Sequence, residues 1–241
     1  MARTVPPQIA LPQLPIEPWE PTLNTLHLWA QIVGKVRLAT AAPRNHWWHV
    51  PLYVDVRGLT TRRMHAGGQT FQIDFDFLDH RLVVRTAVGD SEWFDLRDGL
   101  SVADFDASLH DVLRAVGVDV ELRESPYGIP ITTPFPDDHE HASYDREAVQ
   151  RFWRVLDWSD SVFEEFAGWS CAKTSPVHVF WHGLDLAVTR FNGRRAPSNP
   201  EADPVSREAY SHEVISFGFW AGDRKCESQP TTRTLRQSRL V

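Results

Sequence analysis

Residues 70–86, TFQIDFDFLDHRLVVRT, constrain the fold more than any other stretch of the chain. Phe71, Ile73, Phe75 and Phe77 alternate with Gln72, Asp74 and Asp76, the period of a strand with one face in a core. Asp79 and His80 interrupt the run at a hairpin turn, so an antiparallel pair is expected. Asp74 and Asp76 then read as a solvated face rather than a working carboxylate pair. Upstream, VPLYVDVRG sets Leu52, Val54 and Val56 against Tyr53, Asp55 and Arg57, again with strand period. SEWFDLRDG, closed by Gly99, and VDVEL read as further short strands.

Helical spacing appears between these strands. TLNTLHLWAQIVGKVRLAT places Leu26, Trp29, Val33 and Val36 on one stripe, with Asn24 or Thr25 as cap and His27, Gln31 and Lys35 on another face. Ser101 and Asp104 resemble a capping box before the stripe Phe105, Leu109, Val112 and Val116, and Gly117 ends that helix. A third helix is expected over 145–167, burying Val149, Phe152, Trp153, Leu156, Val162, Phe163 and Phe166. SPVHVFWHGLDLAVTRF has strand character broken at Gly183; a polar loop, NGRRAPSNPEADPVSREAY, and a last strand, SHEVISFGFW, follow. Clustered strands with separate helices predict an α+β fold, a mostly antiparallel sheet covered by helices, in a single domain over 19–220 after a Pro-rich lead of 1–18.

A length of 241 residues suits one large core, and 42% apolar with 24% charged residues is ordinary globular composition. The net charge of −7 argues against nucleic acid as a partner. Gln31, Lys35 and Arg37 interrupt the longest apolar stretch, Leu26 to Ala42, so no membrane span is expected. Prolines 6, 7, 12 and 15 occupy the place of a signal-peptide core, and two cysteines suit a reducing compartment; a cytoplasmic protein is expected. Cys171 reads as buried packing.

The stretches TLHLWAQIVGKVRL, PRNHWWHVPLYV, FDFLDHRL, HASYD, SPVHVFWHGLDLAVTRFNGR and EAYSHEVISFGFW resemble a bacterial family, domain-of-unknown-function family 5996, over most of residues 12–220. That resemblance implies no activity, cofactor or catalytic residue. Beyond Trp220 the chain departs from it: no Trp, Tyr or Phe follows, and periodicity stops. A shifted reading frame accounts for both, making 221–241 an atypical tail expected to be disordered.

Chemistry is sought among the 11 histidines. His46 and His49 flank Trp47 and Trp48, His139 and His141 flank Glu140, His178 and His182 lie four apart, and His212 precedes Glu213. Two imidazoles with a carboxylate would make an open site for Zn²⁺ or Fe²⁺, and His139, His141, His178, His182 and His212 are the candidate ligands. No H-E-x-x-H, Walker A, G-x-G-x-x-G or G-x-S-x-G element is present. The expectation is a pocket gathered from 46–49, 139–141, 178–182 and 212–213 that binds a small-molecule ligand or divalent metal. If catalytic, it would use Glu140 or Glu213 as base and His46 or His49 as orienting group. The alternative is a non-catalytic binding module in which Trp47, Trp48, Trp181 and Trp220 stack against a sugar or another protein. Each cluster also has a plain structural reading: a solvated loop, satisfied core histidines, or packed indoles. Oligomeric state is not legible.

Overall fold

The computed structural model describes residues 10–197 and 200–223. The tail expected to be atypical lies, from residue 224, outside the described residues.

Among the described residues, two antiparallel sheets and four α-helices build an α+β fold around one core. The larger sheet runs β1 (Tyr53–Asp55), β2 (Gly58–Thr60), β4 (Gln69–Asp76), β5 (Arg81–Thr86) and β6 (Ser91–Asp95), with β3 (Met64–Ala66) pairing on β4. The expected hairpin is β4–β5, in register from Phe71 opposite Thr86 to Asp76 opposite Arg81. The smaller sheet is β7 (His178–Phe180), β8 (Asp185–Arg195) and β9 (His212–Phe219). Leu52 and Val179 exchange both backbone hydrogen bonds, 2.9 and 2.8 Å, and so join the two sheets.

Helix α1 (Ile16–Thr40) starts well before Asn24, the expected cap. Its first turns are held by burial rather than capping: Ile16 and Trp19 enter the core, where the Trp19 ring lies 5.2 Å from Phe152. Pro21, inside the helix, donates no hydrogen bond, but its carbonyl accepts from Thr25 Oγ1. The apolar stripe is buried as expected; Gln31 and Lys35, on the polar stripe, are buried as well. Helix α2 (Val102–Ala115) has the expected Ser101 cap, whose hydroxyl accepts from Asp104 N. Helix α3 (Arg146–Gly168) is capped by Asp145, which accepts from the backbone of Glu147 and Ala148.

Five local expectations need correction. VDVEL forms no strand: Val118 is buried and Val120 and Leu122 pack against the core, but their backbone runs outside either ladder. Val56 is exposed, because the chain turns after Asp55 and the alternation stops there. Asp74 and Asp76 are buried, not solvated; Arg85 pairs with Asp74 and Arg57 with Asp76, the latter at 2.6 Å. Much of the expected loop at 192–210 is ordered, as the end of β8 and as helix α4 (Pro204–Ala209), with Asp203 as cap and proline in its first turn. Cys171 is exposed and free rather than packed. Among the described residues no helix is long and apolar enough to cross a membrane.

Candidate functional site

The segment 43–50 leaves α1 and turns back toward β1 through one 3-10 turn, Asn45–Trp47. His46 (φ 56°, ψ 24°) and Trp47 (φ 60°) both adopt left-handed backbone, which strains a residue bearing a β-carbon. Two consecutive residues of this kind need outside support. Glu208 of α4 supplies it by accepting a 3.0 Å bond from His46 N.

Burial reverses what size alone would suggest. The imidazoles of His46 and His49 are buried, whereas the larger Trp47 and Trp48 are only half-buried. Lys173, between α3 and β7, places Nζ 2.8 Å from His46 Nε2. An ammonium only donates, so Nε2 accepts and the ring proton of His46 sits on Nδ1. That Nδ1 is buried without a partner among the described residues. Around His46 stand Phe191 at 4.6 Å, Trp48 at 5.2 Å and His212 at 5.6 Å between ring centroids. Burial first, and the Lys173 charge second, hold His46 below its ordinary pKa, so it is neutral.

His49 is also neutral, chiefly through burial. Its Nδ1 accepts from Arg44 N at 3.1 Å, which puts its proton on Nε2. The Trp47 ring stacks on it at 5.5 Å, and the Trp47 indole N–H is buried with no acceptor among the described residues. Leu38, Pro43, Arg44, Asn45, Trp47, His49 and Glu208 enclose an open cleft of ≈ 510 Å³. Arg44 and Glu208 give it one charge of each sign.

The other expected residues lie elsewhere. His139 and Glu140 are exposed, and His141 binds the buried Asp138 carboxylate at 2.8 Å. This segment closes the start of α2: the carbonyls of His141 and Asp138 accept from Val102 N and Ala103 N, two amides a helix leaves unpaired. His178 is enclosed, and its Nδ1 lies 2.6 Å from the Pro176 carbonyl; burial lowers its pKa to about 4. His182 sits in the turn before β8, against Phe180 at 5.2 Å and Tyr127 at 6.4 Å. Trp181 is core, with its indole N–H donating to Val50 O at 3.0 Å, and Trp220 is exposed beyond β9. Glu213 accepts from Asn192 across β8–β9. Only His212 joins the 46–49 segment, so the four segments do not meet in one pocket. Among the described residues no three His, Cys, Asp or Glu side chains stand together as a metal site.

Three residues of the site had gone unread: Lys173, Phe191 and Glu208. The Asp203-Pro204 pair marks a helix start and would have pointed to Glu208. Nothing local marks Lys173.

A family model described as "Family of unknown function (DUF5996)" matches residues 11–230. The chain belongs to this family. The DUF5996 match takes in α1 through β9, and with them every residue of the cleft; it also runs past Trp220. No curated protein and no solved structure matches the chain.

Proposed function

We propose that the protein is a binder of a small, acceptor-bearing organic ligand in the cleft around Trp47. The observation that carries this reading is the indole N–H of Trp47, a cleft-lining residue, which is buried with no acceptor among the described residues. A buried donor left unpaired costs about 1–3 kcal/mol, which a ligand carbonyl, carboxylate or hydroxyl oxygen would recover. Trp47 also offers an apolar ring for stacking, and Arg44 a cation for an anionic group.

Binding is favoured over general-base catalysis because neither imidazole keeps a free lone pair. In His46 the Nε2 lone pair meets Lys173, and in His49 the Nδ1 lone pair meets Arg44 N. His49, which lines the cleft, therefore presents its Nε2–H as a donor, the polarity suited to holding an oxygen rather than taking a proton. A cytoplasmic setting suits the exposed thiol of Cys171.

The test is a thermal-shift and tryptophan-fluorescence screen with citrate, malate, acetate, glucose and galactose, on wild type and on Trp47→Phe. The reading expects at least one compound to raise the melting temperature of the wild type and to lose that effect in Trp47→Phe, which keeps the ring and deletes the donor. An unchanged response in the variant, or no response at all, overturns it.

A further inference from the structure

The two charges of the cleft, Arg44 and Glu208, do not neutralise each other: among the described residues no ion pair joins them. Each is tied instead to the turn between α1 and β1. Glu208 Oε1 accepts from His46 N at 3.0 Å, and the Arg44 backbone N donates to His49 Nδ1 at 3.1 Å. Glu208 Oε2 and the whole Arg44 guanidinium are left without a hydrogen-bond partner among the described residues. Both charges stand near one ring, because on His49, whose pKa is lowered chiefly by burial, Glu208 and Arg44 act in opposite directions.

Two ring donors lie beside these charges. Trp47 stacks on His49 with 5.5 Å between centroids and 26° between planes. Its indole N–H is buried with no acceptor among the described residues, and His49 Nε2–H has none there either. Two N–H donors and a guanidinium suit a carboxylate, whose bonds to them are charge-assisted. Glu208 opposes a plain anion in the same cleft, however, and Arg44 opposes a plain cation. A ligand that carries both charges meets neither repulsion. Leu38 and Pro43 add an apolar wall, and the volume of ≈ 510 Å³ falls within the roughly 300–1,000 Å³ of small-molecule sites.

We propose that the cleft takes a zwitterionic α-amino acid with an apolar side chain, held between the Arg44 guanidinium and the Glu208 carboxylate. The proposal rests on the reading of the cleft as a ligand site and gives that ligand its charges. The ligand carboxylate accepts from Arg44 and from the N–H groups of Trp47 and His49. Its ammonium donates to Glu208 Oε2, the oxygen that His46 N does not use. Its side chain lies against Leu38 and Pro43.

Isothermal titration calorimetry of the full chain at neutral pH compares leucine with 4-methylpentanoate, the same skeleton without the ammonium, and with 3-methylbutylamine, which lacks the carboxylate. Leucine is expected to bind about tenfold or more tightly than either. Glu208→Gln keeps an acceptor for His46 N and deletes the charge, so it should weaken leucine about tenfold and leave 4-methylpentanoate bound as well as before or better. Arg44→Gln keeps the backbone bond to His49 and should weaken leucine and 4-methylpentanoate alike while sparing 3-methylbutylamine. Both positions are exposed, and unchanged melting temperatures of the unliganded variants would verify that they fold. Equal affinity for leucine and 4-methylpentanoate, or undiminished leucine binding in Glu208→Gln, overturns the zwitterion and leaves the cleft a site for acceptors. Absence of leucine binding also overturns it. In that case, Trp47-dependent binding of another compound of the screen confines the failure to this proposal, and no binding at all extends it to the cleft itself.

Discussion

The indole of Trp181 lies directly on Gly34, so close that a β-carbon at position 34 would overlap Cδ1, Cγ and Nε1 of the ring. The contact lets α1 and the turn before β8 approach closely, and the same indole donates to Val50 O at the entrance to β1. Gly34→Ala should therefore destabilise the fold by about 1–3 kcal/mol through overpacking, although alanine is the better helix former. Chemical denaturation measures the cost. Combining Gly34→Ala with Trp181→Leu should cost less than the sum of the two changes, and strict additivity would contradict the contact.

Stability should fall in mild acid through His178. Its pKa of about 4 in the folded chain lies below the ordinary 6.5, so between those values the unfolded chain binds more protons. The stabilisation is complete above pH 6.5 and is lost as the pH falls toward 4, at most roughly 3 kcal/mol. His27, His46, His49, His80 and His182 are also lowered, chiefly by burial, and add loss of the same sign. Urea unfolding at a series of pH values should show a shallower decline in His178→Phe than in wild type. An identical slope would exclude His178 as a source.

Lys173 governs His46 by charge and by hydrogen bonding. Lys173→Met should free Nε2 and raise the His46 pKa toward its ordinary value, since the lysine is the second cause of its depression after burial. Imidazole NMR titration, with the His46 resonance assigned from His46→Gln, reads this directly. A fall or no movement would mean that Lys173 does not face the ring.

The DDHEH segment should behave as a cap for α2. Asp138 accepts from Glu140 N, His141 N and His141 Nδ1, and it is buried. Asp138→Ala should cost about 1–3 kcal/mol, whereas His139→Ala, at an exposed position, should stay within about 0.5 kcal/mol of wild type. A larger loss from His139→Ala would point to a role beyond the surface.

Much of the fold was legible in local pattern. The β4–β5 hairpin, the Ser101 cap and the Asp145 cap follow from periods and side-chain chemistry that act within a few residues. VDVEL was misread for the same reason: alternation reports which side chains seek the core, and packing can satisfy them without a ladder partner. The site was less legible. His46, Trp47 and His49 were visible as a group, but Lys173 and Glu208 reach it from 127 and 162 residues away.

The sequence by itself determined where strands and helices lie and which apolar faces they bury, because backbone period and capping depend on near neighbours. Only the tertiary structure decided which polar groups would be enclosed: His46 and His49 beneath half-exposed indoles, Asp74 and Asp76 beside arginines, Lys35 against the rings of Phe135 and Trp181. Enclosure depends on what distant segments lay over a residue, and desolvation, which sets the charge and reactivity of such a group, exists only once they have closed on it.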